Sequence, residues 1–192
     1  MLTYGIPSYK LEKDVVEAEI DVIRELGVEI KCGVEIGKDI TLDELRAQGY
    51  EAFYIAIGCQ GSRKAGVSGE DAEGVMSAVD ILHKIAENHE LDLSGRKTVV
   101  IGGGNVAVDV ARSSKRCGAD IIGMYCLESR EEMPASDEEV FETEDEGITI
   151  NNGWGLKEIL TDSGKVCGVI LKKCTSVKDE NGRFNPQYDD ND

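Results

Sequence analysis

The chain predicts an α/β fold with a parallel sheet covered by helices, followed by an antiparallel meander. Three observations carry this. Strand-like and helix-like periods alternate between residues 98 and 150, the order from which parallel sheets are built. Two short runs there, TVVI at residues 98–101 and IIGMY at residues 121–125, lack polar alternation, as strands covered on both faces do. The tail over residues 154–177 alternates instead, around Ser163-Gly164 as a hairpin turn.

Each element has its local reason. Gly5 and Pro7 are turn formers near the start. Residues 12–26 read as an amphipathic helix: Val16, Ile20, Ile23 and Leu26 recur at steps of four and three, Asp14 complements the dipole, and Gly27 stands where a terminating glycine does. Val28, Ile30, Cys32, Val34 and Ile36 alternate as a strand pair or one bent strand. Thr41 and Glu44 form a capping box for a short helix. Residues 52–57 are a continuous apolar run, read as a strand covered on both faces. Residues 58–74, rich in glycine and charge, are loop. A helix runs from Ser77 to about Asn88, and the chain turns near residues 93–96. Residues 105–117 form a helix with Val106, Val110, Ala111 and Cys117 inward. After the strand at 121–125, REEMPAS at residues 130–136 is a connection, Ser136 with Glu139 caps another helix, and Ile148 and Ile150 mark a strand.

Composition narrows the function. A length of 192 residues suits one large domain or two small ones. With 21 basic against 38 acidic residues the net charge is −17, which disfavours nucleic acid and anionic membranes as partners. No run approaches a membrane span, and the start lacks the pattern of a signal peptide. The six cysteines form no C-x-x-C, and with only two histidines no metal site is expected. They read as small core residues of a reduced, cytoplasmic protein.

Chemistry concentrates in TVVIGGGNVAVDVAR, residues 98–112. Gly102-x-Gly104-x-x-Ala107 follows a buried strand and opens a helix, the context of a Rossmann-like dinucleotide site. Gly102 permits the tight turn, Gly104 lets a pyrophosphate approach the backbone, and Ala107 lets helix and strand pack closely. The helix start then offers free N–H groups to the phosphates. The candidate cofactor-binding residues are Gly102, Gly103, Gly104, Asn105, Val106 and Ala107, joined by Glu128 and Arg130. Glu128 stands 21 residues after Ala107, where a ribose-binding carboxylate is placed, or is more blandly a solvated loop acid. Arg130 contacts adenine or a ribose phosphate, or pairs with Glu131 or Glu132. Asn105 is most simply a helix cap or first-turn residue. Asp109 and Arg112 read as a helix-face ion pair, the seven acids of residues 137–146 as a solvated face, and Trp154 as partly buried packing. No Ser-His-Asp set or metal cluster assembles, so no catalytic residue is named.

Four stretches carry a family resemblance: YGIPSYKLEKDVVEAEID from Tyr4, YEAFYIAIGCQGSRKAGVSGED from Tyr50, VVIGGGNVAVDVAR from Val99 and SREEMPAS from Ser129. In order and spacing the chain resembles the NAD(P)H-dependent, FAD-containing oxidoreductases related to the glutamate synthase small subunit, over nearly its whole length. In that family an NAD(P)H domain is inserted into an FAD domain. The resemblance implies that residues 1–85 are a partial FAD-domain segment and linker, and residues 86–192 the NAD(P)H-binding domain. The turn Ala56-Ile57-Gly58 resembles the family's flavin-side glycine turn. The family's first glycine motif, its closing strand and its iron–sulfur cysteines are not found in the sequence, so a fragment of a longer enzyme is expected, one that does not itself retain FAD. An apolar face left open by this would favour a homodimer.

The resemblance implies hydride transfer from nicotinamide to flavin, then electron transfer to a partner, either the remaining FAD-domain segments or an electron-transfer subunit. Such a step needs no protein acid or base, and the cofactors carry the chemistry. The alternative is a non-enzymatic nucleotide-binding regulatory domain. NADPH-using relatives commonly have a pair of arginines after the second strand, where this chain has Cys126 and Leu127 and then Glu128. The expected preference is therefore for NADH.

Overall fold

A computed structural model describes residues 1–87 and 91–189. The chain divides into two compact units, Leu11–Gly61 on the one hand and Met1–Lys10 with Ser62–Asp192 on the other. The smaller unit holds two helices. Helix α1 (Lys13–Glu25) ends as expected: Gly27 takes φ +88 and its N–H turns back to the Arg24 carbonyl. Its apolar stripe is less covered than the spacing suggests, since Val16 is buried but Ile23 and Leu26 are exposed. Helix α2 (Leu42–Ala47) starts on the expected reciprocal cap, with the Glu44 N–H donating to Thr41 Oγ1 and the Thr41 N–H to Glu44 Oε2. Neither of the two segments expected to form strands in this unit does so. The alternating residues 28–36 contribute one isolated bridge, Ile36 to Ile40. The apolar run 52–57 has no regular structure, and Tyr54 is 95% exposed. Strand amides and carbonyls need a neighbouring strand, and among the described residues none pairs with either segment.

In the larger unit the pattern closes into a sheet. Helix α3 (Ala78–Ala86) is capped by Ser77 Oγ, which accepts the Asp80 N–H; the end expected at Asn88 lies outside the described residues. Strands β1 (Lys97–Ile101), β2 (Ile121–Cys126) and β3 (Thr149–Asn152) form a parallel sheet with β2 in the centre. Helix α4 (Asn105–Arg116) links β1 to β2, and α5 (Asp137–Asp145) lies between β2 and β3. Val100, Ile122, Met124 and Ile148 meet Val108 and Ala111 of α4, Val140 of α5 and Ile81 and Leu82 of α3 in one apolar core. The inward face of α4 differs in part from the expected one. Val108 is fully buried, Val110 and Ala111 are buried, Cys117 is half-buried, and Val106 is exposed. Val106 shares a side of the helix with Val110 but stands one turn earlier, at its open N-terminal end.

The tail forms a second sheet. Strands β4 (Trp154–Asp162) and β5 (Lys165–Lys178) pair antiparallel across Ser163 and Gly164, whose φ values of +50 and +81 suit a tight hairpin turn. Strand β6 (Phe184–Tyr188) adds to β5; its pattern is interrupted by Pro186, which hid it from the periodicity. Trp154 is half-buried, as expected. The cysteines are not uniformly core residues: Cys126 and Cys174 are buried, Cys117 is half-buried, and Cys32, Cys59 and Cys167 are exposed. Cys32 lies within, and Cys59 just after, the segments that found no strand partner. No helix among the described residues is long and apolar enough to cross a membrane.

Candidate functional site

Residues 102–104 carry the chain from β1 into α4, and each glycine there has its own reason. Gly102 takes φ +136, a region unfavourable to side chains, and its N–H donates to the Tyr125 carbonyl at 2.9 Å, which holds the turn against β2. A Cβ on it would stand 3.4 Å from the Ala107 Cβ, so a small residue at 107 suits the close approach. Gly103 is buried, and a Cβ there would stand 2.9 Å from the Cys126 Cβ and 3.0 Å from Glu128 Oε2. Gly104 is different. Its φ of −94 suits any residue, and a Cβ would meet no protein atom within 4 Å. The chain's own packing therefore does not call for glycine at 104, and its backbone is open on that side.

Gly104 is also the N-cap of α4 and provides no side-chain cap. The Ala107 and Val108 N–H groups return to its carbonyl at 2.9 and 3.2 Å. The amides of Asn105 and Val106 precede that ladder, at the positive end of the helix dipole. Asn105 Oδ1 accepts the Ser136 N–H at 3.0 Å, and the Gly103 carbonyl accepts the Ala135 N–H at 3.1 Å. The end of the REEMPAS connection thus buttresses the loop, a role that sequence spacing gave no sign of. Ser136 Oγ in turn accepts the Glu139 N–H and starts α5, as expected.

Glu128 follows β2 by two residues and is half-buried, its carboxylate over Gly103. Its carbonyl accepts Asn152 Nδ2 at 3.1 Å, the Gly153 N–H at 3.2 Å and the Cys126 thiol at 3.8 Å. Burial, with the Glu128 charge adding to it, pushes the Cys126 thiol up to about 11, so it stays protonated. Arg130 opens a 3-10 turn (Arg130–Glu132) and pairs with Glu144 of α5 at 3.2 Å, not with Glu131 or Glu132. The structure therefore brings Gly102 to Ala107 and Glu128 together and holds Arg130 toward α5. Both side chains of that pair are partly exposed, so it contributes little.

Behind the loop, two expectations are corrected. Asp109 and Arg112 do not pair with each other. Lys10 Nζ lies 2.5 Å from both Asp109 Oδ1 and Glu139 Oε1. The buried Arg112 guanidinium reaches Glu142 at 2.5 Å, Glu146 at 2.7 Å and Glu139 at 3.4 Å, while Arg116 joins Glu146 and lies 3.9 Å from the centre of the Tyr9 ring. One side of acidic α5 is thus neutralised by α4 and Lys10. These partners lie 27 to 34 positions from Arg112, beyond any local spacing rule. Among the described residues no group of His, Cys, Asp and Glu could hold a metal ion.

Residues 6–182 match the family described as pyridine nucleotide-disulphide oxidoreductase. The NADP(+)-dependent formate dehydrogenase subunit beta of Moorella thermoacetica is 36% identical over 192 residues, 97% of this chain and 27% of that protein. The glutamate synthase (NADPH) small chain of Escherichia coli (strain K12) is 34% identical over 184 residues, 89% of this chain and 38% of that protein. The chain thus spans well under half the length of these curated relatives. Among solved structures, Mycobacterium tuberculosis FprA in complex with NADPH matches with a TM-score of 0.78 over 97% of this chain and 57% of that one. Identity there is 19%, so this likeness concerns the fold.

Proposed function

The chain belongs to the pyridine nucleotide-disulphide oxidoreductase family, and from that premise we propose that it is the NAD(P)H-binding portion of a flavoprotein oxidoreductase. In the intact protein, hydride would pass from NAD(P)H to FAD and electrons onward to a partner subunit or domain. Residues 86–192 form the nucleotide-binding domain in this reading, and residues 1–85 belong to the flavin side or link to it. The observation that carries it is Gly104, a glycine that the protein's own backbone and packing do not require, at the start of a helix that follows a buried strand.

The residues present fit such a cofactor. Gly102 makes the turn, Gly104 leaves the backbone accessible, and the Asn105 and Val106 amides offer donors to a pyrophosphate. Glu128 would accept hydrogen bonds from the adenosine ribose hydroxyls, and Arg130 would leave Glu144 for an anionic or adenine group. The chemistry supplied by the bound nicotinamide is hydride donation, which asks no proton transfer of the protein. The chain's own task is to bind and orient.

The relatives' names carry NADPH or NADP(+). The preference proposed here departs from them and favours NADH. The Glu128 carboxylate would face a 2′-phosphate, at a cost on the order of 1–3 kcal/mol, roughly 5- to 150-fold in affinity. Calorimetric titration of the chain with NADH and NADPH tests both levels. Gly104→Val is expected to abolish binding of either nucleotide with an unchanged circular dichroism spectrum; unchanged affinity in a folded variant removes the loop as the site. Tighter binding of NADPH than NADH by the wild type reverses the preference and leaves the site standing.

A further inference from the structure

We propose that Asn152 is a positioning residue for nucleotide selection: it fixes the backbone at Glu128 so that the carboxylate stands over Gly103, and thereby sets the discrimination between a ribose 2′-hydroxyl and a 2′-phosphate. This rests on the dinucleotide reading above. Asn152 ends β3, in register with Cys126 at the end of β2. Beyond that pair the parallel ladder stops, and residues 127–128 are no longer held by it. The Glu128 carbonyl is caught instead by the Asn152 side-chain amide at 3.1 Å and by the Gly153 N–H at 3.2 Å. The same Asn152 nitrogen lies 3.3 Å from Cys126 Sγ, so one amide group spans both ends of the turn.

Gly153 completes the clamp. At φ +75 its N–H donates to the Glu128 carbonyl and its own carbonyl accepts the Cys174 N–H at 2.8 Å, anchoring the exit of β2 to strand β5 of the antiparallel sheet. A glutamate side chain can swing widely, and its average place follows its backbone. Here the carboxylate comes so near Gly103 that a Cβ there would stand 3.0 Å from it. Strands are enriched in β-branched and aromatic residues and depleted in asparagine. The half-buried Asn152 gives up that packing for a polar grip on the turn, as its neighbour Asn151 does on the Met124 carbonyl at 3.1 Å.

The test is a double-mutant cycle on the 192-residue chain, with NADH and NADPH affinities measured for wild type, Asn152→Ala, Glu128→Gln and the double variant. Glu128→Gln is expected to lower the preference for NADH over NADPH on the order of tenfold, and Asn152→Ala roughly threefold to fivefold. The double variant should lose no more than Glu128→Gln alone, because Asn152 acts through Glu128. Equal weakening of both nucleotides by Asn152→Ala, or losses of preference that multiply in the double variant, overturn the proposal. No change of preference in Glu128→Gln overturns the ribose reading itself, and the proposal with it. If Asn152→Ala fails to fold by circular dichroism, Asn152→Ser carries the same comparison.

Discussion

Residues 98–101 and 121–126 share an apolar character with residues 28–36 and 52–57, yet the two pairs of segments end in different states. The first pair lies side by side in a parallel sheet, with Val100 and Met124 opposite each other and buried. In the second pair Ile55 and Ile57 are exposed at 75% and 81%, and no described strand runs beside them. Apolar patterning states that a segment can be buried. Whether it is buried depends on a neighbour that supplies hydrogen bonds along one edge and side chains on each face.

Cysteine reactivity should separate the regions most. Cys59 is exposed just after the 52–57 run, whereas Cys126 is buried at the end of β2. With a thiol reagent at neutral pH, the exposed Cys59 is expected to react first, and Cys126 at least about a thousandfold more slowly. Cys126 must wait for opening of the sheet, and its thiol is scarcely ionised. Site-resolved mass spectrometry measures both, and comparable rates would erase the contrast. Stability comes next. Met124→Ala empties part of the core and should cost about 2–5 kcal/mol, while Ile55→Ala should stay within about 0.5 kcal/mol. Urea unfolding of both variants decides it; a large loss at Ile55 would mean that the open run is packed after all.

Charge gives the smallest effect. The ion pair of Arg24 with Glu17 in the smaller unit is exposed, while Arg112 in the larger is buried among three carboxylates. Glu146→Gln should cost about 1 kcal/mol at neutral pH, and Glu17→Gln nothing measurable. Hydrogen bonds from Arg116 hold the Glu146 carboxyl below the ordinary glutamate range; burial opposes this and Arg112 adds to it. A lowered carboxyl contributes stability above that range and loses it as pH falls through the folded value. The difference between wild type and Glu146→Gln should therefore shrink as unfolding is measured at progressively more acid pH. A difference that grows on acidification would contradict the assigned sign.

The legible part of the fold was the part governed by local rules. The capping box at Thr41 and Glu44, the Ser77 and Ser136 caps, the Gly27 stop and the Ser163-Gly164 turn each depend on a few adjacent residues, and each formed. At the site, the glycine turn and its approach to Glu128 followed from strand and helix lengths that the pattern fixes. The Asn152 clamp and the buttress from Ala135 and Ser136 join segments 24 or more positions apart, and no period in the sequence registers them. The same limit explains Arg112, whose nearest acid in sequence is not its partner in space.

Lys10 lies 129 positions before Glu139, and it holds Glu139 and Asp109 together. On the ribosome, at about 5–20 residues per second, the Tyr9–Lys10 segment would wait roughly 6–26 s for that partner to be made. During that interval all of residues 11–61 has already emerged between the two halves of the larger unit. The larger unit therefore cannot close as its residues appear in order. Its earliest piece waits for residues made about a hundred positions later, a long-range contact of the kind whose closure entropy must be met before it rewards folding.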